Sequence, residues 1–284
     1  MKKYFLTGFA LVFLSAFAFS QTDIPLKYTT NITEQGLKKQ LTIIASAEME
    51  GRETGTRGQR KAASYIESQF REIGLQYPES LKGYQQYYPL FKDTLISRRM
   101  KIGRRDLRYG KDYILQTGSS LATRLKASAI VFAGYGIEDS NYNDYAGKDV
   151  KDKIVLIFNG EPQVNENYLV TGTNRQSKWG YSISAKAVLA KEKGAVAVLF
   201  VNPLWDSIPP ALVENSKKTN LYFPHLSDKP KATVISIIPS LLKYIVGANE
   251  ANVIIETAKS RGPLNNFNIE KEIKTKLILK KRSI

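Results

Sequence analysis

Four stretches of the chain are almost wholly apolar, of strand length and rich in β-branched residues: SAIVFAGYGI at 128–137, KIVLIFNG at 153–160, AVAVLFV at 195–201 and ATVISII at 232–238. A strand with one wet face alternates apolar and polar residues, so a continuous apolar run predicts a strand covered on both faces. Between the second and third runs, residues 182–193 carry Ile183, Ala187 and Ala190 at helical spacing and stop at Gly194. The order strand, helix, strand predicts a right-handed parallel crossover. The fold class expected is therefore α/β, with a β-rich centre and flanking helices.

Upstream, residues 31–47 predict a helix with Thr33 or Asn31 as N-cap and Glu34 in capping-box position to Asn31. Its apolar stripe is Leu37, Leu41 and Ile44. A glycine-punctuated loop, residues 50–58, leads to a second helix over 59–73, where Ala62, Ala63, Ile66, Phe70 and Ile73 share one face before Gly74. Gly51, Gly55 and Gly58 let that loop turn sharply, and Arg52 has Glu50 and Glu53 beside it to pair with. Both helices are one-sided and call for a covering surface.

Residues 84–91 (YQQYYPLF) alternate as a strand would, and residues 98–105 (RRMKIGRR) predict a basic hairpin turning at Gly103. A short helix begun by proline is expected over 239–246. The end of the chain, FNIEKEIKTKLILKK at 267–281, alternates with Phe267, Ile269, Ile273, Leu277 and Leu279 on one side, predicting one long half-buried strand. There is no internal repeat and no low-complexity linker.

At the N-terminus Lys2 and Lys3 precede an apolar run from Tyr4 to Phe19, with Ala18, Phe19 and Ser20 at its end. This is a signal-peptide pattern, residues 1–20, placing the mature protein from about Gln21 outside the cytoplasm, secreted or periplasmic. An uncleaved anchor is the alternative, although the run is short for a membrane span. The chain holds no cysteine, which removes disulfides, thiolate zinc sites and cysteine nucleophiles. Its formal charge is +16. Removing Lys2 and Lys3 leaves 40 basic against 26 acidic residues, or +14. Export argues against a nucleic-acid partner, and the basic stretch at 98–105 lacks aromatic interleaving, so it reads as a solvated hairpin, with an anionic-surface patch as the alternative.

Candidate chemistry is sparse. Three imidazole or carboxylate ligands are the usual minimum for hydrolytic zinc, and the only histidine is His225, in the proline-flanked loop YFPHLSDKP with Asp228 three residues on. It reads as an ordinary loop residue. No Gly-x-Ser-x-Gly elbow occurs for serine hydrolysis. Gly134-Tyr135-Gly136 begins like a dinucleotide fingerprint but has Asp139 where the third glycine belongs, so it reads as a tight turn. The acidic pairs Glu48/Glu50 and Glu270/Glu272 read as solvated. No catalytic, cofactor-binding or metal residue is assigned.

Three blocks in order, residues 43–75 (IIASAEMEGRETGTRGQRKAASYIESQFREIGL), 131–162 (VFAGYGIEDSNYNDYAGKDVKDKIVLIFNGEP) and 184–203 (SAKAVLAKEKGAVAVLFVNP), resemble secreted zinc aminopeptidases of the M28 family that carry an inserted protease-associated (PA) domain. The resemblance implies a PA-type sandwich or barrel over 84–250, with residues 21–83 and a return strand in 251–284 belonging to a peptidase domain. It also implies two zinc ions on His, Asp and Glu ligands downstream of the PA domain, at positions these residues do not supply. The expectation is thus a chain cut before its zinc-binding region and inactive alone, binding peptide or protein through the PA domain, with catalysis on a separate polypeptide as a further option. The alternative is a stand-alone PA module that binds without catalysing.

Overall fold

The computed structural model describes residues 29, 31–116, 124–223 and 232–283. The leader at 1–20, and His225 with Asp228, lie outside the described residues. The chain divides into two compact units, Met1–Tyr88 and Pro89–Ile284.

In the first unit, Thr33 caps α1 (Glu34–Ile44) by accepting from the Gly36 amide at 3.1 Å, and Thr56 caps α2 (Arg57–Glu72) by accepting from Gln59 at 3.4 Å. Between them a 3-10 turn, Ala47–Arg52, contains Glu50, Gly51 and Arg52 at positive φ. Gly58 opens α2 against this turn so closely that a Cβ there would stand 2.2 Å from the Met49 carbonyl oxygen. The anticipated Arg52 pairing is not formed: Glu50 is held by Lys61 at 2.6 Å, and Arg52 donates to the Ile44 carbonyl, closing the end of α1. Residues 84–88 are not a strand. Tyr84 instead packs on Phe70 and Tyr77 and donates to the Leu75 carbonyl, a local use of aromatics that mimics alternation, and Pro89 lacks the N–H a ladder would need.

The helices of this unit meet through polar groups, Tyr65 donating to Gln40 at 2.5 Å and Gln40 to Gln69 at 3.1 Å. Their apolar stripes stay largely open: α1 buries no residue, α2 buries only Ala62 of its stripe, and Leu41 is 65% and Ile73 73% exposed. A helix gains most of its stability from burying such a face. Amides of α1 and α2 are therefore expected to exchange with solvent faster than those of residues 154–158, and equal protection in a hydrogen-exchange measurement would refute this.

The second unit contains β1 (Asp93–Ile102), β2 (Arg105–Leu107), β3 (Tyr113–Leu115), β4 (Arg124–Ala127), β5 (Ile130–Phe132), β6 (Ile154–Phe158), a small hairpin β7 (Gln163–Val164) and β8 (Asn167–Tyr168), α3 (Lys178–Tyr181), α4 (Ile183–Glu192), β9 (Ala197–Val201), α5 (Pro210–Asn215), β10 (Thr233–Ile237), α6 (Ala248–Lys259), β11 (Glu270–Lys271) and β12 (Thr275–Ser283). Six strands form a sheet in the order β11-β5-β6-β9-β10-β3, its four central members parallel and its two edges antiparallel. A second, antiparallel sheet has the order β2-β1-β12-β4. Neither sheet closes on itself, so the barrel alternative gives way to a layered α/β arrangement.

The layering explains the continuous apolar runs. Val155, Ile157, Val198 and Phe200 point from the parallel strands to Ala187 and Ala190 of α4. Leu156, Phe158, Leu199 and Ile235 point the other way, into a core shared with Met100, Ile102, Leu277 and Leu279 of the four-stranded sheet and with Ile254 and Ala258 of α6. Each fully buried aliphatic side chain contributes about 1.5–3 kcal/mol, so these two cores hold the unit without disulfides.

The last strand differs from expectation twice. It is broken at 272–274 because the chain crosses between sheets there: β11 pairs with β5, and β12 runs between β1 and β4. The return strand expected to enter a peptidase sheet is thus hydrogen-bonded on both sides within this unit. Its apolar face is as the alternation indicated, since Leu277 and Leu279 are buried. The proline-begun helix is a 3-10 helix, Pro239–Tyr244, and α3, α5 and α6 were not anticipated.

Candidate functional site

Two places in the second unit concentrate polar side chains. The first lies under the Gly134-Tyr135-Gly136 turn that follows β5. Asp144, fully buried, accepts from the backbone of Tyr135 at 2.9 Å and Ile137 at 3.1 Å and from the Tyr142 hydroxyl at 2.8 Å. Gly134 (φ +45°) lets the carboxylate come so near that a Cβ would sit 2.1 Å from Oδ1. Burial pushes the Asp144 carboxyl up to about 6, against the opposing pull of these three donors and of Lys186. The glycine pair is thus a tight turn, as the missing third glycine suggested, and the object it closes around is a carboxylate that the sequence did not mark.

Lys186 of α4 is buried nearby and donates to the carbonyls of Gly160 at 2.6 Å and Phe158 at 3.3 Å, where β6 ends. Burial pulls its ammonium down to about 7, with Asp144 and Glu161 pulling the other way. Glu161, also buried, accepts from the Ser177 amide at 2.6 Å and from the Ser177 hydroxyl, which fixes the start of α3. Asp144, Glu161 and Lys186 are closed to solvent and engaged with backbone. Their chemistry is to lock the loops at the ends of β5 and β6.

The second place is open. A cleft of about 680 Å³ is bounded by Ile114 and Leu115 of β3, Leu212 of α5, and the loop that carries Ser216, Lys218 and Asn220. Such a volume is in the range of ligand sites. β3 is an edge strand of the six-stranded sheet. The facing loop is tied to β1 by Asp93, whose amide donates to Thr219 Oγ1 at 2.7 Å and whose carbonyl accepts from the Thr219 amide at 2.9 Å. Tyr109 donates to the Ser216 carbonyl at 2.8 Å from the other side. A sheet edge beside a mostly polar rim, with Leu212 as its exposed apolar side chain, suits an extended peptide, which supplies backbone hydrogen bonds to an edge and side chains to a pocket. Nothing in the sequence marked these residues, because the cleft joins segments about a hundred positions apart.

Of the residues weighed from sequence, Glu48 and Glu50 lie in the 3-10 turn of the first unit, and Glu270 pairs with Lys153 at 2.8 Å. The chain has one histidine and no cysteine, and among the described residues no three His, Asp or Glu side chains converge.

A mostly parallel sheet flanked by α4, with an antiparallel sheet on its other side, is the setting in which the family match falls. Residues 121–227 match the family model described as PA domain. Among solved structures, an aminopeptidase from Aneurinibacillus sp. strain AM-1 is 17% identical, over 87% of this chain and 48% of that one, with a TM-score of 0.36. The zinc aminopeptidase BSAP from Bacillus subtilis is 19% identical over 86% of this chain and 44% of its own, with a TM-score of 0.34. A peptidase M28 precursor from Shewanella amazonensis SB2B is 14% identical over 87% and 48%, with a TM-score of 0.31. This chain spans about half the length of these structures. No curated protein sequence matches it. No described helix is long and apolar enough to cross a membrane.

Proposed function

We propose that these residues are the PA-bearing portion of an exported metallopeptidase of the M28 type, and that their own role is to engage peptide or protein rather than to hydrolyse it. The observation that carries this reading is the PA match over 121–227. The block at 43–75, with its helix, glycine corner and second helix, supports the peptidase assignment over a lone PA module. Hydrolysis of the family kind needs zinc ligands and a general base that these residues do not supply. In this reading zinc and turnover belong to sequence beyond these 284 residues or to a separate polypeptide.

The cleft beside β3 is the proposed peptide site. Leu212, 37% exposed on its wall, would meet an apolar peptide side chain, and Lys218 on the opposite loop would meet its carboxylates or carbonyls. Fluorescence anisotropy with extended, mixed-sequence peptides is expected to show saturable binding that Leu212→Glu weakens about tenfold, the effect of losing a modest interface anchor. Homogeneous protein supplied with zinc is expected to release no amino acid from an aminoacyl reporter. Zinc-dependent turnover, or an absence of peptide binding with the fold intact, would overturn the proposal.

A further inference from the structure

We propose that the outer face of the four-stranded sheet docks the protein on an anionic lipid surface. The register places six cations on that face. Lys101 of β1, Lys276 of β12 and Lys126 of β4 are direct cross-strand neighbours in one row; Arg99, Ile278 and Arg124 make the next row; Lys280 opens a third beside Ser97. The six are exposed, whereas the partners that alternate with them, Met100, Leu277 and Leu125, are buried. Strands lie about 4.8 Å apart and rise about 3.3 Å per residue, so the six Cα positions fall within roughly 10 by 13 Å.

Only Lys101 has a carboxylate partner among the described residues, Asp106 at 3.1 Å. Like charges placed directly across strands destabilise a sheet, so the fold gains nothing from this row, and an opposing negative surface would relieve it. The neighbouring arginines behave differently: Arg98 stacks on Tyr109 with its guanidinium 4.4 Å from the ring, and Arg105 on Tyr244 at 4.2 Å. Those are structural uses. The six are not consumed in this way.

The shape selects among anionic partners. A single-stranded nucleic acid is held by aromatic platforms, and this face carries none; a duplex needs an element that enters a groove, and the face is a sheet. A plane of flexible cations around the half-buried Ile278 matches a plane of phosphate headgroups, as polybasic surfaces do. At about 0.1 M salt the screening length is about 10 Å, so the charges act together, and at 1 M it is about 3 Å.

The test is co-sedimentation of the full chain with vesicles of equal parts phosphatidylglycerol and phosphatidylcholine, read as a ratio to pure phosphatidylcholine so that any apolar insertion cancels. Each surface cation is worth about a fivefold change in partition. The triple variant Lys126→Gln, Lys276→Gln, Lys280→Gln is expected to lower the ratio about a hundredfold with no loss of melting temperature, since it relieves like-charge pairs across the strands. Neutralising Lys38, Lys39 and Lys191 instead, exposed cations on α1 and α4, is expected to lower it only a few fold. High salt should abolish the preference. A wild-type ratio near one, equal losses in the two triple variants, or tighter binding to an oligothymidine than to vesicles at equal phosphate concentration would each overturn the proposal.

Discussion

Gly134→Ala is expected to lower the stability of the second unit by about 4 kcal/mol and its melting temperature by roughly 10 °C, whereas Gly147→Ala costs about 1 kcal/mol. Both glycines lie at positive φ, +45° and +69°, so the backbone penalty for a Cβ is shared. What separates them is the neighbour. At Gly147 the new methyl meets nothing within 4 Å, while at Gly134 it lies 2.1 Å from Asp144 Oδ1. Asp144 cannot retreat cheaply, because its oxygens accept from Tyr135, Ile137 and Tyr142 inside the core. Moving it leaves buried donors unpaired, at about 1–3 kcal/mol each. Urea unfolding followed by tryptophan fluorescence measures the difference, and equal midpoints for the two variants would show that Asp144 does not anchor the turn.

That anchor illustrates what could be read from residue order. The Gly134-Tyr135-Gly136 turn was legible as a turn, since two glycines follow a strand and the third is missing. That a carboxylate eight residues beyond Gly136 is the object it wraps was not, because a buried Asp has no periodic signature. The parallel strands were legible for the opposite reason: β-branched runs without polar interruption have few other places to go. The helix α4 was placed within a residue by Ser182 and Gly194, its cap and its stop. Strand alternation found the buried face of Leu277 and Leu279 yet missed the break at 272–274, since a chain that changes sheets can keep its facing. Residues 84–88 failed in the other direction, where tyrosines spaced like a strand pack against Phe70 and Tyr77. Neither the cleft beside β3 nor the cationic row was legible. Both depend on cross-strand and loop register between segments far apart in sequence, and only the 98–105 stretch of that row showed itself as basic.

Lys186 sets the second large effect, which is a dependence on pH. In the unfolded chain this ammonium titrates at its ordinary value of 10.5, and in the folded protein burial brings it down to about 7. Between those values the unfolded state binds the extra proton, so stability rises as pH increases from about 7 towards 10. The full rise is on the order of 5 kcal/mol if this lysine acts alone. Lys148, pulled down by partial burial, adds in the same direction. Tyr113, Tyr135, Tyr142 and Tyr145 cap the rise, because burial pushes their phenols up and the unfolded chain ionises first above about 10. Lys186→Met keeps the volume but removes the proton site, so its profile between pH 7 and 10 should be nearly flat by comparison. Asp144 loses an opposing charge in that variant, so its carboxyl rises further above the ordinary 3.8, and the limb on which stability falls with pH extends past about 6. Chemical denaturation at intervals across this range, for both proteins, gives the two slopes. Parallel profiles would mean that the Lys186 ammonium keeps its proton inside the fold, with water or a shifted backbone meeting its charge.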